Sequence, residues 1–169
     1  DRLLGYIEGL GKIILIEPEA LLTKASKIPG LDGQKMSKSY ENMISLRDEP
    51  KVIKQKIKKM PTDPARVKLS DPGDPNKCPV WQMHQVYSPQ GTLDWVVEGC
   101  TKAKIGCIEC KGPVIDSVIS ELGPIQERIA KYQSNPNLIQ EIIFDGSERA
   151  RSVAKNTLEE VRDAMGITY

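Results

Sequence analysis

Apolar residues recur at threes and fours through most of this chain, and that spacing predicts a mainly helical protein. Val52, Ile53, Ile57 and Met60 form one stripe of a lysine-rich segment running from Asp48 to about Met60, where Pro61 and Pro64 stop it. Val80 to Tyr87 and Thr92 to Glu98 suit two further short helices, the second with Leu93, Val96 and Val97 turned inward. From Pro113 to Tyr132 the stripe of Val114, Val118, Ile119, Leu122, Ile125 and Ile129 predicts a long amphipathic helix bent at Gly123-Pro124. Asn135-Pro136 starts another as cap and first residue, with Leu138, Ile139, Ile142 and Ile143 on its buried face. Ser147 caps a last helix, which Gly166 ends.

The pattern differs near the start. Gly11-Lys-Ile-Ile-Leu-Ile16 is a short apolar run bounded by Glu17-Pro18 and predicts a buried strand, and Pro18 to Lys27 carries Ala20, Leu21, Leu22 and Ala25 at helical spacing. A domain boundary is expected near residue 45. Asp63 to Lys77 is proline-rich and predicts loop.

With 169 residues and 39% apolar content the chain can bury one moderate core or two small ones, and no run reaches the apolar length of a membrane span. No secretion signal opens it, so a cytoplasmic home is the expectation. The net charge of +1 does not announce a nucleic-acid binder, but its distribution says more. Lys35, Lys38, Arg47, Lys51, Lys54, Lys56, Lys58 and Lys59 crowd into 25 residues. Such a cluster attracts a phosphodiester backbone, and it also suits the solvated face of a helix; the two readings are compatible.

Chemistry concentrates in two places. The first is Lys35-Met36-Ser37-Lys38-Ser39, set behind the turn-rich Ile28-Pro-Gly-Leu-Asp-Gly33. Two ammonium groups on a hinged loop can meet the charge that develops on a departing pyrophosphate, and Ser37 and Ser39 add hydroxyls for phosphate oxygens. The second is the series Cys78, Cys100, Cys107 and Cys110. In a reducing compartment paired thiols are not a structural staple, which leaves a bound metal, free thiols or a redox pair. Four thiolates suit tetrahedral zinc and an iron–sulfur cluster alike. Gly106 and Gly112-Pro113 are placed to bend the chain around the Cys-x-x-Cys pair. Lys102, Lys104 and Lys111 surround the cysteines and are candidates for nucleic-acid phosphates. His84, the only histidine, is assigned no chemistry.

The run from Lys27 to Asn42 resembles the second signature of class I aminoacyl-tRNA synthetases, and its wording looks like the tryptophanyl branch. Glu17-Pro-Glu-Ala-Leu-Leu22 upstream, with Gly146-Ser-Glu-Arg-Ala-Arg-Ser-Val-Ala154 and Val161-Arg-Asp-Ala-Met-Gly166 downstream, resembles the same branch. The resemblance covers roughly residues 12 to 169, with residues 1–11 fitting poorly. Cys78-Pro-Val-Trp-Gln82 and Gly99 to Cys107 look like a bacterial subset whose cysteine series, with a first gap one residue longer, carries a [4Fe-4S] cluster.

The resemblance implies a division at residue 45. Residues 1–45 would end a Rossmann-like α/β catalytic domain, as a strand-helix remnant followed by the signature loop. Residues 46–169 would form a helical, anticodon-binding domain with a cysteine-rich lobe. It further implies a C-terminal fragment of an enzyme that activates tryptophan with ATP and Mg2+ and esterifies tryptophan tRNA, as a homodimer formed largely outside these residues. Lys35 and Lys38 would be catalytic, Lys35 to Ser39 would bind ATP, and Cys78, Cys100, Cys107 and Cys110 would hold the cluster, with zinc as the alternative. A tyrosyl-tRNA synthetase fragment, or a non-enzymatic, metal-stapled module that binds nucleic acid, are the competing expectations.

Overall fold

The computed structural model describes residues 14–22 and 27–167. Among these, secondary structure is helical, in the order α1 (Pro50–Lys59), a 3-10 turn (Pro75–Lys77), α2 (Pro79–Tyr87), α3 (Gln90–Thr101), α4 (Cys107–Gln133) and α5 (Pro136–Met165). The β pairing among them is an isolated antiparallel bridge between Pro29 and Lys35. None of these helices is long and apolar enough to cross a membrane.

Local chemistry explains the boundaries. Pro50 and Pro79 each stand in a first helical turn, where a missing N–H costs nothing. Lys56, Lys58 and Lys59 crowd the last turn of α1, at the negative end of its dipole. Asn135 Oδ1 accepts the Leu138 N–H at 3.2 Å as N-cap of α5, and Gly166 ends that helix at φ 68°.

Chain contacts divide the protein into two units, residues 22–130 and residues 131–169 together with 1–21. In the first, the core is made by Ile53 and Ile57 of α1, Val80 and Met83 of α2, and Val114, Ile115, Val118 and Leu122 of α4, with Met60 beside them. Leu31 and Ile44, which bracket the signature loop, pack against this core. The exit of the loop is tied down as well. Lys56 Nζ donates to the Met43 carbonyl at 3.1 Å and pairs with Asp48, and Gln126 of α4 donates to the Asp48 carbonyl at 2.8 Å.

Four expectations are corrected. Cys107 and Cys110 do not lie on a tight turn: α4 begins at Cys107 and runs through both Pro113 and Pro124. Pro113 frees only the Glu109 carbonyl, and Glu109 is exposed, so water can serve it and the helix continues. Nor does Gly146-Ser147 start a new helix, because α5 is continuous across it. The apolar stripe of α5 is not buried: Ile139, Ile142 and Ile143 are 38%, 49% and 62% exposed. No other helix of the second unit covers it among the described residues. Finally, the expected strand 11–16 and helix 18–27 lie partly outside the described residues, and the described parts, 14–16 and 18–22, form neither element. Ile16 is 89% exposed and Leu21 fully exposed, so neither stretch has an apolar surface to bury against, and a strand without a neighbour leaves its backbone groups unpaired.

Candidate functional site

The signature loop is built on a frame of short hydrogen bonds. Gly30 N donates to the Gln34 carbonyl at 2.6 Å, Gly33 N to the Gly30 carbonyl at 3.0 Å and Met36 N to the Ile28 carbonyl at 3.0 Å, which closes the turn ahead of Lys35. Gly33 holds φ 84°, a conformation other residues resist. At the far side of the loop Asn42 is 4% exposed and uses both ends of its amide. Its Oδ1 accepts the Ser37 N–H at 2.8 Å, while its Nδ2 donates to Asp32 Oδ1 at 2.7 Å and to the Lys35 carbonyl at 3.2 Å. The Asn42 amide, followed by the Gln34 N–H, holds the Asp32 carboxyl below its usual range. Lys35 and Lys38 are exposed on this frame, Met36 between them in sequence is half-buried, and the Ser39 N–H donates to Ser37 Oγ at 3.3 Å. Two cations on an anchored loop with free side chains can engage a polyphosphate.

The four cysteines come to one place. Cys78 ahead of α2, Cys100 in α3, and Cys107 and Cys110 in the first turn of α4 line a single cavity, with Val80 and Ile105 as apolar wall and Asp63 and Arg66 on its rim. All four are free thiols. Burial, and then the neighbouring sulfurs of Cys78, Cys100 and Cys107, push the Cys110 thiol up to about 12. Burial also raises Cys100, against the pull of Arg66. Thiols so crowded resist ionising together unless a cation joins them. Among the described residues no three His, Cys, Asp or Glu side chains are drawn up as ready ligands for a metal ion. The donor set nevertheless matches a thiolate-bound group, and the backbone makes room for it. A β-carbon at Gly73 would stand 2.6 Å from Cys100 Sγ, so only glycine leaves that sulfur its place.

Sequence reasoning missed the groups that frame this cavity. Arg66 is 9% exposed; its Nη2 donates to the Ile105 carbonyl at 2.7 Å and the Leu69 carbonyl at 3.0 Å, and its Nη1 lies 3.9 Å from Cys100 Sγ. Asp63 is 4% exposed and accepts the N–H groups of Asp74 and Ala65. Both sit in the proline-rich stretch, where charged residues read as solvated loop; the signal lay in Asp63-Pro-Ala-Arg66 as a turn with a cap. His84 is fully buried, its Nε2 3.0 Å from the Cys110 carbonyl and its Nδ1 2.8 Å from Ser88 Oγ. These partners assign Nε2 as donor and Nδ1 as acceptor. Burial lowers its pKa, so the ring is a neutral strut that joins α2 to α4.

Of the three lysines expected to face phosphates, Lys111 is a correction. It is 3% exposed and donates to the carbonyls of Lys58 at 2.8 Å and Met60 at 2.6 Å, capping the C-terminal end of α1. It precedes the buried Val114, Ile115 and Val118 by three, four and seven residues, which places it on the inner face of α4. Lys102 and Lys104 are exposed and share Glu98 Oε1, at 3.1 and 3.0 Å.

Comparison with known proteins gives a consistent picture. The model of the family described as tRNA synthetases class I (W and Y) matches residues 4–123. The tryptophan–tRNA ligase of Ralstonia nicotianae is 57% identical over 169 residues, which are all of this chain and 42% of that ligase. That of Thermotoga maritima is 46% identical over 154 residues, covering 90% of this chain and 47% of its own length. The tryptophanyl-tRNA synthetase of Campylobacter jejuni, solved in complex with ADP and tryptophan, aligns at TM-score 0.71 and 25% identity over 90% of this chain and 48% of its own. The chain thus spans less than half the length of the curated relatives it matches. The likeness also reaches residue 4, into the segment where the sequence fitted poorly.

Proposed function

Because the chain belongs to the class I tRNA synthetases of the tryptophan and tyrosine group, we propose that it is the C-terminal part of a bacterial tryptophan–tRNA ligase. The whole protein would activate tryptophan with ATP and Mg2+ and esterify its tRNA. Residues 1–45 would close the catalytic domain and residues 46–169 form the tRNA-binding helical domain. Identity to named tryptophan–tRNA ligases supports tryptophan over tyrosine.

The observation that carries this reading is the loop Lys35 to Ser39, whose two exposed ammonium groups stand on an anchored backbone. In amino-acid activation a carboxylate oxygen attacks the α-phosphorus of ATP and pyrophosphate departs. The charge that gathers on that leaving group is what Lys38 and Lys35 meet, while Met36, Ser37 and Ser39 complete the phosphate cradle. Interactions that strengthen as charge develops raise turnover rather than affinity. Lys38→Ala in the full-length ligase should therefore cost about 2–4 kcal/mol of transition-state stabilisation, or roughly two to three decades of rate, with tryptophan affinity unchanged. Unchanged tryptophan-dependent pyrophosphate exchange would refute the assignment.

The second part of the proposal is that Cys78, Cys100, Cys107 and Cys110 hold one [4Fe-4S] cluster, with zinc as the alternative occupant. Support comes from four thiols on one cavity, the space kept by Gly73, and the Arg66 cation beside the sulfurs. Bound there, the cluster would cross-link the starts of α2 and α4 to α3 as a structural staple. Lys102 and Lys104, exposed beside this lobe, are proposed to face tRNA phosphates. The cytoplasmic setting and a homodimer of the whole enzyme belong to the same proposal.

A further inference from the structure

Asn42 stands outside the five residues of the loop, yet it touches that loop at more points than any one of the five touches another. Its side chain accepts from Ser37 N and donates to the Lys35 carbonyl and to Asp32. Its own carbonyl accepts the Leu31 N–H at 2.7 Å. Four hydrogen bonds therefore join one residue to the turn before Lys35 and to the backbone on both sides of Met36. The seat is specific. A β-carbon at Gly30 would fall 2.2 Å from Asn42 Nδ2 and 2.5 Å from its Cγ, so the amide fits only against glycine. The preceding residue, Glu41, is held at φ 53°, a conformation that costs a non-glycine residue energy and persists only where its surroundings fix it.

We infer that Asn42 is a positioning residue for nucleotidyl transfer: its amide fixes the backbone from which Lys35 and Lys38 reach the polyphosphate of ATP. This rests on the reading of Lys35 to Ser39 as the phosphate-handling loop. An amide is the side chain the geometry requires, because one end must accept an N–H while the other donates to a carbonyl and a carboxylate. Aspartate has the same shape but no donor. It would keep the Ser37 bond, lose both others, and set a second carboxylate against Asp32.

Tryptophan-dependent pyrophosphate exchange by the full-length ligase tests the inference on Asn42→Asp, Lys38→Ala, Asp32→Asn and the double exchange Asp32→Asn/Asn42→Asp. Misplacement of a catalytic group costs up to about 100-fold, so Asn42→Asp should lower kcat roughly 10- to 100-fold, with the tryptophan KM unchanged. The double exchange should recover part of that loss, because the new amide at position 32 donates to the new carboxylate at 42. A purely structural role would lower Tm and the active fraction of Asn42→Asp but leave kcat per active molecule at the wild-type value. Wild-type kcat in Asn42→Asp, beside an impaired Lys38→Ala, overturns the role of Asn42. Wild-type kcat in both overturns the reading of the loop instead. If Asn42→Asp does not fold, amide exchange in the wild-type protein decides. Ser37 N–H should exchange far more slowly than Lys38 N–H, and equal rates overturn the inference.

Discussion

Gly33 lies against Pro79: a β-carbon at position 33 would come within 2.7 Å of Pro79 Cγ. Through this contact the turn that launches the signature loop rests on the first residue of α2, directly after Cys78. Loop and cysteine lobe therefore share a wall, and Leu31 and Ile44 extend that shared packing into the core.

Gly33→Ala should accordingly be doubly unfavourable. Its φ of 84° alone costs a residue with a β-carbon about 1–2 kcal/mol, and the approach to Pro79 adds to it. Urea unfolding of the full-length protein measures the loss. A variant as stable as the wild type would mean that the turn and α2 are not in contact.

Lys35→Ala should lower the rate of tryptophan activation as Lys38→Ala does, by a smaller factor. The Lys35 carbonyl is held by Asn42, and Lys35 is paired with Pro29 in the β bridge, so its backbone is less free to follow the substrate than that of Lys38. Single-turnover measurements should rank Lys38 above Lys35. The reverse order would place the principal transition-state contact at Lys35.

Much of the helical unit was legible because Ile53, Ile57, Val114, Val118 and Leu122 repeat at helical spacing and are in fact the core. The loop was legible because its motif is five adjacent residues, Lys35 to Ser39. What escaped depends on distance along the chain. Lys111 looked like a surface cation because its carbonyl partners lie more than fifty residues away, and Arg66 meets Ile105 thirty-nine residues on. The stripe of α5 predicted a buried face that the structure does not show, because periodicity says only that a face wants a cover and does not supply one. Proline and glycine misled in α4 and α5, where an exposed carbonyl and a continuous helix tolerate Pro113 and Gly146.

The burial of Lys111 separates it from its two neighbours. Lys111→Met would leave the Lys58 and Met60 carbonyls without their donor, and a buried unsatisfied group costs about 1–3 kcal/mol. Stability should fall while the salt dependence of tRNA binding stays as it was. Lys102→Ala and Lys104→Ala should do the opposite, each flattening the salt slope by about one unit with little loss of stability. A flattened slope in Lys111→Met would restore it to the tRNA surface.

Asp63 makes the fold acid-sensitive. The Asp74 N–H, then the Ala65 N–H, and more weakly the charges of Lys77 and Arg66, hold its carboxyl below the usual 3.8, against the effect of burial. The unfolded chain therefore takes up this proton at a higher pH than the folded one. The stabilisation is complete above about pH 4 and is lost as pH falls through the lower folded value. Asp63→Asn should be less stable at neutral pH and lose less on acidification. An acid transition identical to the wild type's would show that other carboxylates govern it.

The cysteine lobe makes the sharpest demand on composition. If its four thiols hold a [4Fe-4S] cluster, protein purified without oxygen should be brown, with close to four iron and four sulfide per chain. Serine at any one of Cys78, Cys100, Cys107 or Cys110 should then lower both iron content and stability, since metal binding there is also folding energy. Burial first, and then repulsion from the neighbouring sulfurs of Cys78, Cys100 and Cys107, push the Cys110 thiol up to about 12. Chelation should therefore leave Cys110, and less markedly Cys100, slow to alkylate at neutral pH. One zinc and no iron after anaerobic reconstitution would assign a structural zinc site in place of the cluster. Neither metal, with all four thiols rapidly alkylated in the native protein, would leave the cavity as the meeting point of four ordinary cysteines.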